Sequence, residues 1–220
     1  MKLYRLAILT CVAVLAVGLA MASVASAIPT FKPGTANKFT TESGAGTLAT
    51  SGNNGSIACT SDSGTGEIVN ANEAKGITVV FHGCVGTSSS GTTCKAMSKG
   101  QPEGLIATNT LRGLLGETSE DTSKAAELFE PESGKVFVTP LASCLVEAAV
   151  EGSVAGEATP TGVSSKDGKV VFLGGSGVQS IKKVTVKSGG VSPKLTSFGL
   201  IASSEATTEL ILFATAVEVT

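Results

Sequence analysis

The sequence predicts an all-β domain: a single antiparallel β-barrel or β-sandwich of about nine to ten strands, preceded by a helical signal peptide. Three observations carry this. The apolar residues are mostly Val, Ile, Leu and Ala in short runs. Those runs are bounded by Gly, Ser, Asn, Asp or Pro, which punctuate strands. No helical segments alternate with them, the pattern expected of sheet closing on sheet.

Met1 to Ala27 reads as the signal peptide. Lys2 and Arg5 give a positive start, Leu6 to Ala20 is uncharged and almost wholly apolar, and Ala25-Ser26-Ala27 supplies small residues at a cleavage site. The apolar core is short for a membrane span of about 20 residues, and no charged stop follows it. No stable membrane anchor is therefore expected after cleavage. Cys11 follows too short an apolar run, and directly follows Thr10, for a lipidated cysteine.

Cleavage changes the composition. Of 16 basic residues, Lys2 and Arg5 leave, so 14 face 18 acidic ones and the net charge is near −4. That balance argues against nucleic acid or an anionic membrane as partner. Tyr4, the one tyrosine, leaves too, so the aromatics of the exported chain are eight phenylalanines. Sugar and single-strand nucleic-acid sites commonly stack ligands on Trp or Tyr, and this composition weakens both readings.

Residues 28–45, IPTFKPGTANKFTTESGA, are polar and turn-rich and are expected to form a lead-in to a domain spanning 46–220. GTLATS and GSIACTS then read as strands joined at Asn54-Gly55, a turn dipeptide. KGITVVFHGC, EGLIATNTL, GKVFVTPLASCLVEAAV and GKVVFLGG follow, with a tight hairpin turn expected at Asp167-Gly168. TSEDTSKAAELFEPES is locally helix-friendly for about two turns before Pro131, and reads equally as a charged loop. IKKVTVK alternates sharply, Val184 and Val186 on one face against Lys183, Thr185 and Lys187 on the other. In the last strand Ile211, Phe213, Val217 and Val219 share a side.

Four cysteines remain after export, an even number that favours disulfides. They permit three pairings. Cys84 and Cys94 end and begin strands joined by a flexible loop, which favours Cys84–Cys94 with Cys59–Cys144 as the second bridge. A metal site using His82, Cys84 and Cys94 lacks the paired spacing that zinc ligands show. No metal or cofactor is expected.

No catalytic residue is assigned. His82, the one histidine, is placed with Thr78 on the polar face of its strand, and no GxSxG elbow accompanies it. Glu117, Glu120, Asp121, Glu127, Glu130 and Glu132 lack the pattern of a calcium loop and read as a solvated segment. Gly174 to Gly177 lacks the lysine and helix of a phosphate cradle and reads as a turn.

The order IACTSDSGTGEIV, VVFHGCVG, TTCKAMSKG, EGLIATNTLRGLLGE, PLASCLVEA and LTSFGLIAS…TTELILFATAVEVT resembles a group of exported, Gly/Thr-rich, four-cysteine all-β proteins of soil actinobacteria, mostly uncharacterised. The resemblance implies a secreted or cell-surface bacterial protein and two bridges, and implies no activity. Three functional classes stay open. They are a structural or interaction module, a barrel enclosing an apolar ligand against Phe81, Phe137, Phe172 and Phe213, and a hydrolase built on a serine, His82 and an acid, or on an acidic pair.

Overall fold

The computed structural model describes residues 27–220 apart from 146, 148 and 198–200. The expected signal peptide, except for Ala27, lies outside the described residues. Among those residues there is one 3-10 turn, Ser51–Asn53, and no α-helix.

Eight strands close a barrel: β1 Asn37–Ser43, β2 Ser61–Asn70, β3 Glu73–His82, β4 Leu111–Thr118, β5 Ala125–Pro131, β6 Val154–Thr159, β7 Ser165–Phe172 and β8 Ile201–Val219. Each pairs antiparallel with the next in sequence. β8 returns to pair with β1, Phe213 opposite Phe39 and Glu209 opposite Ser43. Closure leaves the ring no free edge, which settles barrel over sandwich.

The wall continues past one end of this ring. Gly46–Thr50 prolongs β1, Ser56–Cys59 leads into β2, Val85–Thr87 follows β3, and Val150–Gly152 leads into β6. These pieces pair round a second circuit with the N-terminal part of β8, the strand Thr93–Ser98, the run Val136–Ala142 and Leu195–Ser197. The long strand β8 belongs to both halves.

Alternation places the core. On β8, Thr207, Glu209, Ile211, Phe213 and Val217 are buried while Thr208, Leu210 and Leu212 are exposed. An eight-stranded interior is just wide enough for side chains to fill. The inward rings are accommodated by inward glycines. A Cβ on Gly66 would fall against the Phe39 ring, and one on Gly168 would lie 3.0 Å from the Phe213 ring. Phe39 and Phe213 meet edge to face with centroids 6.0 Å apart. A hairpin of Val184–Val186 and Gly189–Val191 pairs with β4 and buries Val184 and Val186 against Ala126, Leu128 and Ala155 outside the ring.

Several expectations are corrected. Residues 28–45 are no lead-in: β1 lies within them as a stave of the barrel, Phe31–Lys32 pairs with the end of β8, and Phe31 and Phe39 are core residues. Polar residues dominate that stretch because its other half faces solvent. Asp167-Gly168 is no turn. Both residues sit inside β7 opposite Leu212 and Ile211, beside a register shift, and Gly168 makes room for Phe213. TSEDTSKAAELFEPES is a turn at Asp121 followed by β5, because sheet pairing on both sides overrides its local helix preference.

The disulfides are also repaired differently. Cys59 bonds Cys84 and Cys94 bonds Cys144, with α-carbons 4.0 and 5.7 Å apart, in place of Cys84–Cys94 and Cys59–Cys144. Register is the physical reason. Ala58 opposes Val85, so the next step along the same ladder places Cys59 opposite Cys84. Ala142 opposes Ala96, so two further steps bring Cys144 to Cys94. In the hairpin that joins Cys84 to Cys94, Gly86 opposes Cys94, which leaves Cys84 two residues out of step.

Asn54-Gly55 does join two paired strands, with the Thr50 amide donating to the Gly55 carbonyl. Gly174–Gly177 forms a short hairpin whose turn holds Ser176 and Gly177 at positive φ, 52° and 78°.

Candidate functional site

The barrel's inner wall sets carboxyls among apolar side chains. Two small, partly open spaces lie within it. One of about 50 Å³ lies between Leu48, Ile57, Phe81, Phe137 and Leu195. The other, about 40 Å³, lies between Phe39, Ile77, Leu111, Phe129 and Phe172. Glu205, Phe81 and Phe137 line both. Such volumes hold a water or a few, far short of the roughly 300–1,000 Å³ of small-molecule sites. Of the phenylalanines expected around a ligand, Phe81, Phe137 and Phe172 do face this interior, while Phe213 packs on Phe39.

Four acids point into the interior or its wall: Asp62, Glu127, Glu205 and Glu209. Their placement follows from parity. Asp62 stands in phase with Gly64, Gly66 and Ile68 on β2, and Glu205 and Glu209 stand in phase with Ile211 and Phe213 on β8. Asp62 and Glu209 are both opposite Ser43, one on each side of β1, so three inward residues form a row across three strands. The Ser43 hydroxyl donates to Asp62 Oδ2, and the Asp62 and Glu209 carboxyls meet. Asp62 is 4% exposed and Glu209 8%.

Burial dominates their electrostatics. It pushes Glu127 up to about 7. Burial, then the charge of Asp62, pushes Glu205 up to about 7. Glu209 is carried to about 9, first by burial and then by Asp62 beside it. Burial raises Asp62 as well, opposed by hydrogen bonds with Ser43 and Glu209 and by the charge of His82. Among the described residues no lysine or arginine pairs with any of the four; the ion pairs are Lys75–Glu73, Arg112–Glu130, Lys124–Glu157 and Lys135–Glu151.

His82 ends β3 on the outer face, where Nε2 lies 3.1 Å from the Ser63 hydroxyl. Among the described residues no carboxylate hydrogen-bonds to its ring, so the pair lacks the acid that orients a catalytic histidine. Asp62, which follows its ladder partner Ser61, is turned to the opposite side of the wall.

The acidic segment 117–132 is dispersed by the fold. Glu127 is interior, Glu130 pairs with Arg112, and Glu132 accepts from the Gly76 amide. Among the described residues no group of three or more His, Cys, Asp or Glu side chains is arranged to hold a metal ion. The four cysteines are occupied by each other.

Sequence reasoning passed over Glu205 and Glu209. The signal was present in TTELILF: carrying the parity of Phe213 and Ile211 back two residues lands on Glu209, a charge on the apolar face. Such a residue inside a barrel must be neutral, paired or hydrogen-bonded. The chain has no match among protein families, curated proteins or solved structures.

Proposed function

We propose that this chain is an exported bacterial structural or interaction module of the cell surface or the medium, a rigid disulfide-stapled barrel that performs no chemistry of its own. The packed interior is the observation that carries the reading: side chains fill both halves, leaving spaces of about 50 and 40 Å³. Lys38, Thr40, Glu42, Ser63, Thr65 and Thr78 on the outer faces of β1, β2 and β3 are polar, beside the exposed Val69 and, on β8, Leu210 and Leu212, a mixed surface that suits a water-facing wall rather than a lipid-facing one. Export is supported by the N-terminal charge and apolar run and by two disulfides, which persist in oxidising surroundings. The likeness to exported four-cysteine proteins of soil actinobacteria belongs to the same reading.

Fractionation of cells expressing the full chain, with thiol counting before and after reduction, tests it. The reading predicts a chain outside the cytoplasm that begins near Ile28 and exposes four thiols on reduction alone. Full-length protein in the cytoplasm with free thiols would contradict it. Native mass spectrometry of the recovered protein should give the mass of the bare chain. A small molecule retained one to one would replace this reading with that of a ligand carrier.

A further inference from the structure

Asp62 and Glu209 present a problem that a single hydrogen solves. Each is more than nine-tenths buried, and Asp62 Oδ1 and Glu209 Oε2 have no donor. A buried acceptor without a partner is costly, and two ionised carboxylates in contact add repulsion. Ionised carboxylates accept and cannot donate, so the meeting of these two groups is favourable when one of them carries a proton.

The surroundings offer one other donor, the Thr41 hydroxyl, which opposes the upward shift of Glu209 without cancelling it. β1 contributes Ser43, already donating to Asp62 Oδ2, and Thr41 beside Glu209. β7 and β6 continue the inward row with Val170 and Ala158. β3 contributes Phe81 inside and His82 outside the wall, the latter close enough for its charge to be felt at Asp62. β8 adds a further acid, Glu205, and β5 adds Glu127, which lines the space of about 40 Å³ together with Glu205 and Glu209. The buried Glu117 lies on β4 six residues beyond Leu111, toward the opposite end of the ring.

We propose that Asp62 and Glu209 share one proton and form, with Glu205, a pH-operated latch that holds β1, β2 and β8 together and releases them when the surroundings take the proton away. The three strands include the first and last of the ring, so the latch spans the seam at which the barrel closes. Closed, the interior is packed, with spaces of only about 50 and 40 Å³. With the proton gone, two anions face each other in an apolar wall, and relief comes from water entering along the β1–β8 seam. The device makes the rigidity of the scaffold conditional on an acidic to neutral medium.

The direction follows from linkage. The folded chain holds its protons on Glu205 to about 7 and on Glu209 to about 9, whereas an unfolded glutamate releases its proton near 4.5. The stabilisation is complete below about 4.5 and is lost as pH rises through 7 and on through 9.

Amide hydrogen exchange of the full protein across pH 5 to 9, corrected for intrinsic rates, reads the latch. The opening constant of β1 and β8 should rise on the order of a hundredfold over that range. Glu209→Gln, which cannot ionise but can still donate to Asp62 Oδ1, should flatten the rise. A wild-type profile flat from pH 5 to 9, or a Glu209→Gln profile that follows the wild type, overturns the proposal. Infrared spectra of the unmodified protein give a second reading independent of any variant. A protonated-carboxyl band should be present at pH 7, fade above pH 9 and be indifferent to added calcium. Its absence at pH 7, or its loss on adding calcium, would show the site to be ionised or metal-bound and sink the proton-sharing idea.

Discussion

Gly66 and Gly168 turn toward the barrel axis and set the positions of Phe39 and Phe213, the two rings that meet across β1 and β8. Gly66→Ala would push a methyl into the Phe39 ring, a flank with no room to yield. It should lower stability by about 1–3 kcal/mol, read as a fall in melting temperature by circular dichroism. Gly44→Ala is the control. A Cβ there meets nothing within 4 Å, and the melt should hardly move. Ser43 differs in kind. Its hydroxyl donates to Asp62, so Ser43→Ala should destabilise by about 1–3 kcal/mol, an effect the same melts would register. The glycine-rich character of the sequence was visible at once, but its purpose was not. Spacing suggests turns, and which glycines face a ring depends on barrel parity that no local pattern reveals. Asp167-Gly168 shows the difficulty: a turn dipeptide by composition, it is a ring-packing position by geometry.

At the scale of elements, the cross-strand bridges staple the second circuit of strands, past one end of the eight-stranded ring. Cys59–Cys84 closes a separation of 25 residues and Cys94–Cys144 one of 50. Removing either pair by double alanine substitution should cost about 3–4 kcal/mol on the chain-entropy estimate, measurable by denaturant titration against the same protein with both bridges intact. Strand existence was legible from the apolar runs, and so was the alternation that buries Val184, Val186, Ile211 and Phe213. The disulfide partners were not, because a disulfide obeys register. The loop between Cys84 and Cys94 is short enough to suggest a bridge, yet the hairpin offsets the two by two residues. β5 escaped for a related reason. Its AAELFEP sequence carries helix-forming residues, and its strand state is imposed by β4 and β6 on either side.

For the molecule as a whole, closure of β8 on β1 brings the first and last described segments together. Thr30 and Thr220 exchange backbone hydrogen bonds beside that seam. Three of the interior acids line the two cavities or flank them, and each has its proton affinity raised by burial. Global stability should therefore peak in mild acid and fall as pH rises above about 4.5 toward 9, by several kcal/mol in sum. Melting temperatures across that range check it, with a maximum above pH 8 as the contrary result. All-β class and the choice between barrel and sandwich illustrate what scale hides. The class follows from local pattern, whereas closure depends on the pairing of residues 37–43 with 209–213, which no short-range signal announces.

Peptide mapping without reduction tests the stapled barrel most directly. Tryptic cleavage after Lys38, Lys75, Lys95, Lys135 and Lys166 leaves Cys84 and Cys94 together on 76–95, Cys59 on 39–75 and Cys144 on 136–166. The observed register predicts one species joining all three peptides, with fragmentation between Cys84 and Cys94 assigning 39–75 to Cys84 and 136–166 to Cys94. A 76–95 peptide closed on itself, accompanied by 39–75 linked to 136–166, would contradict the strand register on which the barrel rests.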